Sequence, residues 1–339
     1  MRDLRVIISE MRILVTGASG FVGSLLIGRL GREGHSVTAL GREPARIEAA
    51  LEHGGHGDGA PELRRGDVLS GVGLDGALAG IEVAYYLIHS MERSSAAVPF
   101  SVRERIAAEN FAAAARRARV RRIVYLGGLG PRRGETRELE PAAARRGARA
   151  SRHLASREQV ERILLDAVPD SVALRASIVI GARSRSFRLL VRLLERMPML
   201  VLPAWQRFRT QPIDERDVIS MLASAAAAAL PRGARSLDVG GPDVLSYGAM
   251  LDRIAELMLV HRPAVKLRVN LTAVTARVAA AIASEDPELV LPLMEGLHGD
   301  LLPGDDRAAE LLGVRLHRFD AAVEHALAEW ELCESLAAR

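Results

Sequence analysis

The stretch RILVTGASGFVG, residues 12–23, decides the fold. Residues 12–16 have β-strand character and run directly into three glycines spaced as G-x-x-G-x-x-G, after which an apolar helical pattern begins. Gly17 permits a tight turn, Gly20 lets a pyrophosphate approach the backbone, and Gly23 lets the helix pack against the strand. The free N–H groups at the start of that helix attract phosphate. We therefore interpret the segment as a dinucleotide-binding loop, with a purely structural turn as the alternative. Its contacting residues are predicted to be Gly17, Ser19, Gly20, Phe21, Val22 and Gly23.

The rest of the chain supports a layered architecture around this loop. Short β-branched runs alternate with Ala/Arg/Leu-rich helical stretches as far as residue 181, a pattern typical of a parallel sheet covered by helices on both faces. Beyond it, prolines and paired glycines break the rhythm, and the tail over residues 308–331 is predicted to be helical. We predict a Rossmann doubly wound parallel sheet over residues 11–181, with later strands contributed from 210–240. Residues 182–339 are predicted to form a smaller, partly interleaved C-terminal lobe.

Composition excludes several classes of protein. The 46 basic residues exceed the 42 acidic ones by four, and Lys266 is the only lysine. The arginine pairs contain almost no interleaved aromatic residues, which favours a solvated helix surface over nucleic-acid binding. The single cysteine, Cys333, excludes an internal disulfide framework and any multi-cysteine metal cluster.

Neither a membrane span nor a metal site is expected from the sequence. The longest run of small apolar residues, 221–230, is shorter than the roughly 20 residues that a span needs. The first ten residues show no signal-peptide pattern. A glycine-rich loop contains His53, His56 and Asp58. It offers no third strong ligand to complete a metal site, so we expect no metal there. The expectation is a soluble, cytoplasmic protein with a small-molecule substrate.

The end of the second strand indicates which nucleotide is bound. An acidic residue about 20 positions after the glycines usually grips the ribose 2′-hydroxyl of NAD. Here the strand over residues 37–40 ends in Gly41 and Arg42 instead. A guanidinium at Arg42, seconded by Arg46, can make charge-assisted bonds to a 2′-phosphate. The sequence therefore predicts NADP (NADPH) rather than NAD, the alternative being that Arg42 is simply solvated.

These motifs resemble a known family. Residues 16–23 look like the signature of extended and atypical short-chain dehydrogenases/reductases. Further segments resemble the NAD(P)H-binding, NmrA-like branch of that superfamily, namely residues 66–68, 85–91, 125–130, 153–157, 174–176, 211–213, 217–218 and 238–242. The Rossmann-type accessory subunit of respiratory complex I is similar to the chain more distantly.

The resemblance also implies positions for residues around the cofactor. It implies that Asp67 and Val68 lie at the adenine. His89 would border the nicotinamide ribose, and Gly127 and Gly128 would form the floor beneath the nicotinamide ring.

The usual chemistry of the superfamily needs a Tyr-x-x-x-Lys pair, and this chain lacks it. Four residues after Tyr85, Tyr86, Tyr125 and Tyr247 come His, Ser, Leu and Leu. The segment that resembles the catalytic helix offers His153-x-x-x-Arg157, with both residues on one helix face. His153 could relay a proton while Arg157 grips ribose or phosphate. Alternatively the helix keeps its shape without chemistry.

Two functions follow from this pattern. The first is an NADP(H)-dependent oxidoreductase of the atypical short-chain type, acting on a small or medium apolar organic substrate. The second is a non-catalytic NADP(H)-binding protein that senses redox state or stabilises a complex. A stretch beyond the sheet either lines a substrate pocket or packs as ordinary core; it contains Phe187, Leu190, Met197, Met199, Trp205 and Phe208.

Overall fold

The computed structural model describes residues 10–52, 60–88, 99–130, 155–231, 235–267, 299–334 and 336. The first half of the chain alternates strands and helices in the predicted order. Its elements are β1 (Arg12–Thr16), α1 (Phe21–Arg32), β2 (Ser36–Gly41), α2 (Pro44–Glu52), β3 (Glu62–Arg65), α3 (Leu74–Leu78), β4 (Val83–Tyr86), α4 (Phe100–Arg117), β5 (Arg122–Gly128), α5 (residues 155–167), β6 (Val172–Ala176) and β7 (Val179–Ile180).

The second half is built from shorter pieces. They are α6 (Arg185–Arg196), β8 (Leu200–Leu202), a 3-10 turn (Ala204–Arg207), β9 (Arg209–Thr210), β10 (Ile213–Asp214), α7 (Glu215–Ala225), β11 (Ser236–Val239), β12 (Leu245–Ser246), α8 (Tyr247–Leu257), β13 (Ala264–Lys266), α9 (Ala308–Leu311) and α10 (Phe319–Cys333).

Seven strands form one sheet in the order β11-β6-β5-β4-β1-β2-β3, and every neighbouring pair is parallel. The chain order reverses between β1 and β4, which is the topological switch point where sheets of this kind bind ligands. This arrangement confirms the predicted Rossmann doubly wound sheet. The last strand, β11, comes from the second half and pairs with β6. The division into residues 11–181 and 182–339 stays a prediction.

The sheet is buried on both faces, which explains its β-branched sequence. Ile13 and Val15 of β1 face one core with α1 and α7, whereas Leu14 faces the opposite core with α4 and α5. A third core in the second half packs α6, α8 and α10 together. Within the described residues, no helix combines the length and apolarity that crossing a bilayer requires.

The prediction of one helix over residues 308–331 is wrong. α9 ends at Leu311, and Gly313 then adopts a left-handed backbone with φ of +64°. α10 starts only at Phe319, whose N–H is capped by the Asp243 carboxylate at 2.8 Å. A glycine in this conformation ends a helix because it carries no Cβ that would clash.

Candidate functional site

The turn after β1 leaves little or no room for a side chain at its glycine positions. Gly17 has a φ of +68°, and a Cβ there would lie 2.6 Å from the carbonyl oxygen of Leu87. The Gly20 N–H donates to the Gly17 carbonyl at 2.9 Å, closing the turn. A Cβ at Gly23 would overlap that same carbonyl oxygen. The spacing of the three glycines is therefore a steric requirement of this turn.

The turn delivers an open helix end to the sheet edge. Gly20 is the N-cap of α1 with an extended backbone, no side chain of the described residues caps this end, and its first turn carries no acidic residue. The first N–H groups of a helix lack intrahelical partners and carry the positive end of the dipole. Ser19 and Gly20 are exposed, and Phe21 and Val22 are half-buried. This end of α1 is therefore suited to an anionic phosphate.

A buried hydroxyl fixes the turn against the next strand. Thr16 Oγ1 donates to the carbonyl of Tyr85 at 2.9 Å and accepts the N–H of Leu87 at 3.2 Å. The end of β1 is thereby tied to the end of β4. The predicted ribose contact His89 follows β4 and lies outside the described residues.

Arginines gather where β2 and β3 end. Arg42 follows Gly41, the last residue of β2, and is exposed. Arg46, one turn along, lies 4.0 Å from the Glu43 carboxylate. Arg65, which ends β3, is paired in register with Gly41 and was not predicted as a site residue. The sheet edge next to the glycine turn thus carries these three arginines together with the carboxylates of Glu43 and, after β3, of Asp67.

The predicted adenine contacts follow β3. The Asp67 carboxylate accepts the N–H of Leu69 at 3.0 Å and remains half-buried. Val68 is buried, and its carbonyl accepts the Asn110 side-chain amide at 3.0 Å. The loop that carries both residues is therefore held in place by α4.

The end of β5 presents backbone rather than side chains. Gly127 is buried, and a Cβ there would lie 2.9 Å from the Tyr125 ring. Gly128 is exposed, and an added Cβ there would meet no heavy atom of the described residues within 4 Å. The next residue, Leu129, is buried. Residues 127–129 therefore offer no side-chain hydroxyl at the end of β5.

None of the four tyrosines is set up as a general acid. All are at most 2% exposed, and burial raises the pKa of each phenol. The Tyr85 hydroxyl donates to the carbonyl of Leu222 at 2.8 Å on the far side of the sheet from α5. The only lysine, Lys266, is exposed on β13. The missing Tyr-x-x-x-Lys pair is not replaced in space by another tyrosine.

Arg157 lies in a buried ionic cluster. Its guanidinium is 3.7 Å from the Glu104 carboxylate of α4, and the two side chains are 6% and 4% exposed. The Ser156 hydroxyl donates to the same carboxylate at 2.8 Å. The guanidinium also opposes the rise that burial causes in the pKa of Tyr125. Its predicted partner, His153, lies outside the described residues, so their joint role stays a prediction.

Two further arginines line the same end of the sheet and were not predicted as site residues. Arg183 comes from the loop after β7, and its guanidinium donates to the Ser24 hydroxyl of α1 at 3.2 Å. Arg175, the next-to-last residue of β6, is paired in register with Gly127, and its Nε atom lies 2.7 Å from the Asp238 carboxylate. Arg175 belongs to a motif quoted from the sequence. Arg183 gave no local signal, because its contact with α1 arises only from the tertiary fold.

The aromatic stretch beyond the sheet packs mainly as core. Phe187 is fully buried and Trp205 is 8% exposed, both in the core formed by α6, α8 and α10. Leu190, Met197 and Phe208 pack partly buried against this core, whereas Met199 is 44% exposed. Phe187 and Trp205 therefore pack as ordinary core, which was one of the two roles considered for this stretch.

Comparisons with known proteins agree with this geometry. A family model described as NAD(P)H-binding matches residues 17–170. The search of curated proteins found no match. Among solved structures, gox2253 is similar with a TM-score of 0.69 and 21% identity, over 95% of this chain and 98% of that one.

Two other similar structures were solved with ligands bound. MoeE5 in complex with UDP-glucose and NAD has a TM-score of 0.66 and 20% identity, over 94% of this chain and 98% of that one. The UDP-glucuronic acid 4-epimerase from Bacillus cereus, in complex with UDP-glucuronic acid and NAD, has a TM-score of 0.68 and 17% identity. It covers 96% of this chain and 100% of its own.

The domain match confirms that a nicotinamide dinucleotide is the cofactor class. The shared fold extends over nearly the whole chain. Together they agree with the family resemblance drawn from the glycine turn. The chain carries an NAD(P)H-binding domain over residues 17–170 and shares its fold with solved structures that hold NAD.

Proposed function

We propose that the protein is an NADP(H)-dependent oxidoreductase of the atypical short-chain type, acting in the cytoplasm on a small or medium apolar substrate. The observation that carries this proposal is the pairing of an uncapped α1 with a guanidinium at the end of β2. The first feature suits a pyrophosphate, and the second suits a 2′-phosphate. We include in this proposal that the protein belongs to the NmrA-like branch.

The preference for NADP rests on charge at the end of β2. Arg42 stands where NAD-dependent relatives need a carboxylate for the 2′-hydroxyl. Arg65 is brought beside it by the pairing of β3 with β2. Glu43 is the nearest acidic residue in sequence, and it is directed to Arg46. A 2′-phosphate would therefore meet more positive than negative charge at this edge.

The pyrophosphate would lie between α1 and Arg183. The first-turn amides of α1 offer hydrogen bonds without a competing side-chain cap. The Arg183 guanidinium reaches the first turns of this helix through Ser24. Among the described residues, no carboxylate lies within ion-pair distance of Arg183, so its charge remains available to a phosphate.

The residues at the β5 end constrain the chemistry. Bound NADPH supplies a hydride. Gly127 and Gly128 would let the nicotinamide approach the sheet closely, but they provide no hydroxyl to polarise a carbonyl. Buried tyrosines whose pKa is raised hold their protons at neutral pH. Substrates that suit this site are activated alkenes and quinones, which take the proton from water or from His153.

A non-catalytic NADP(H)-binding protein is the second candidate, and one observation favours it. Arg157, at the position of the usual lysine, is directed to the buried carboxylate of Glu104. A guanidinium engaged there contributes to packing between α4 and α5 rather than to proton transfer. In this alternative the cofactor would be held without being consumed.

Turnover separates the two candidates. The full chain would be incubated with NADPH and a panel of ketones, quinones and enones, while the absorbance of the reduced cofactor is followed. We expect NADPH consumption with an enone or a quinone. On that substrate, the His153→Ala variant tests the proton relay, since unchanged turnover would remove His153 from the mechanism. NADPH that binds and is never consumed would favour the non-catalytic candidate.

A further inference from the structure

Outside the set of residues predicted to contact the dinucleotide, three metal-ligating side chains converge from two helices. Glu215 is the first residue of α7, while His325 and Glu329 lie one turn apart on α10. The Nε2 atom of His325 is 3.8 Å from Glu215 Oε1 and 3.6 Å from Glu329 Oε1. One donor atom from each side chain can be chosen so that all three lie within 4.8 Å of one another.

The charges at this cluster do not balance. The Glu215 side chain is 5% exposed, and its Oε2 atom accepts no hydrogen bond among the described residues. The neighbouring Arg216 is directed to Asp214, with Nε 3.0 Å and Nη2 2.5 Å from that carboxylate. Burial, followed by the adjacent Glu329 carboxylate, raises the pKa of Glu215 to about 9. Two carboxylates this close need either a shared proton or a cation between them.

The donor set narrows the choice of cation. Imidazole nitrogen with carboxylate oxygens suits Zn²⁺ and related transition metals better than Mg²⁺ or Ca²⁺, which prefer oxygen ligands alone. In a tetrahedral zinc site with bonds of about 2.0–2.2 Å, donor atoms lie about 3.4 Å apart. The distances from His325 Nε2 to Glu215 Oε1 and to Glu329 Oε1 exceed that value by only a few tenths of an ångström. His325 and Glu329 are partly exposed, so an ion can enter and keep a water as fourth ligand.

We propose that Glu215, His325 and Glu329 form a site for a divalent transition metal ion of the Zn²⁺ class. The ion would join the C-terminal helix α10 to the start of α7. The site lies behind the glycine turn, because a Cβ at Gly181 would meet both the Glu215 carboxylate and the Phe21 ring. It therefore ties the second half of the chain to the region that holds the dinucleotide. The proposal is independent of the proposed function.

Metal titration of the full, tag-free chain after chelator treatment tests the site. Co²⁺ is added while the visible d–d absorption is followed, and Zn²⁺ is added in a calorimeter. We expect one ion per chain. His325→Ala and Glu329→Gln should each weaken metal binding by about 100-fold or more. Loss of a residue that only supports a ligand costs about 10–100-fold, and loss of a direct ligand should cost at least as much as the upper end of that range. Both residues are partly exposed, so these variants should fold; Glu215→Gln is less suitable because that side chain is buried.

Two matched variants serve as controls. Glu324→Gln changes an exposed carboxylate on the same helix and should leave binding unchanged. His56→Ala removes one of the two histidines in the glycine loop noted in the sequence and should also leave binding unchanged. Absence of saturable binding would overturn the proposal. Equal binding by the wild type and both ligand variants would overturn it as well, as would loss of binding in His56→Ala.

Discussion

The two ends of the cofactor crevice are built on different principles. Where β1 and β2 end, the candidate site consists of exposed arginines and of backbone amides, which a turn with glycine at three fixed positions holds in place. Where β5 and α5 meet, the family that the sequence resembles uses side chains for proton transfer, and this chain has Gly127, Gly128 and a buried Arg157. The first end thus matches the glycine motif of that family, whereas the second end lacks its Tyr-x-x-x-Lys pair.

The two ends differ in how far their residues can be substituted. Backbone geometry at the turn is fixed by steric contacts, so it persists whatever the reaction. Side-chain chemistry at β5 can be lost without affecting the fold, since the glycines fit the sheet and Arg157 finds another partner in Glu104. Binding of the dinucleotide therefore depends on backbone geometry, whereas proton transfer depends on side chains.

The largest effect should come from changing the turn itself. Gly23→Ala would force a Cβ into the Gly17 carbonyl oxygen and push α1 away from β1. We expect NADPH affinity, measured by fluorescence titration, to fall by about 100-fold or more, since several phosphate hydrogen bonds worth about 1.5–3 kcal/mol each would be misplaced. Gly76→Ala in α3 is the matched control, because a Cβ there meets no atom within 4 Å. If Gly23→Ala bound NADPH as tightly as the wild type, the steric role of this turn in cofactor binding would be contradicted.

The next effect concerns the buried pair at the catalytic end. Arg157→Met would leave the Glu104 carboxylate buried without its guanidinium and should lower the free energy of unfolding by about 3–5 kcal/mol in urea denaturation. Adding Glu104→Gln should recover much of that loss, because the uncompensated charge is gone. NADPH affinity should stay unchanged. Reduced NADPH affinity with unchanged stability would instead assign Arg157 to the cofactor.

Arg42 tests the charge at the nucleotide end. We expect the wild type to bind NADPH more tightly than NADH. Arg42→Ala should weaken NADPH binding by about 10–100-fold, which corresponds to about 1.5–3 kcal/mol for a charged hydrogen bond, and leave NADH binding unaltered. Arg116→Ala, at an exposed position of α4, should change neither affinity. Equal affinities of the wild type for both cofactors would contradict the NADP prediction.

The smallest effect lies at the opposite edge of the sheet, away from the site. His35 is buried, its Nδ1 accepts the Met11 N–H at 3.4 Å, and burial lowers its pKa below 6.5. As the pH falls, the unfolded chain therefore binds a proton at His35 before the folded chain does. The stability that depends on a neutral His35 is complete above pH 6.5 and is lost as the pH falls towards the pKa of His35 in the folded chain. Unfolding free energies measured across this range should lose that component in His35→Gln and keep it in His261→Gln, an exposed position.

Much of the sheet was predictable from the sequence because its signals are local. The glycine turn and the β-branched runs depend on neighbouring residues, and both appear in the structure where the pattern indicates. The tail was mispredicted because Gly313 interrupts a helical composition that otherwise continues. A glycine's backbone conformation is set by packing, which composition does not report.

The residues missed at the site share one property, which is that their partners are distant in sequence. Arg183 meets Ser24, and Arg65 joins Gly41 only through strand pairing. Arg157 was predicted as a site residue, but its contact with Glu104 was not. The cluster of Glu215 with His325 was also hidden, since the two residues belong to different helices of the folded chain. Single-sequence patterns carry no information on such pairings.

The open space around Gly128 has an evolutionary consequence. A Cβ at that position would meet no atom of the described residues within 4 Å, so a serine hydroxyl is one substitution away at the end of β5. Placing a lysine at position 157 is harder, because the carboxylate of Glu104 would compete for its ammonium group. A laboratory lineage selected for carbonyl reduction should therefore acquire the hydroxyl first.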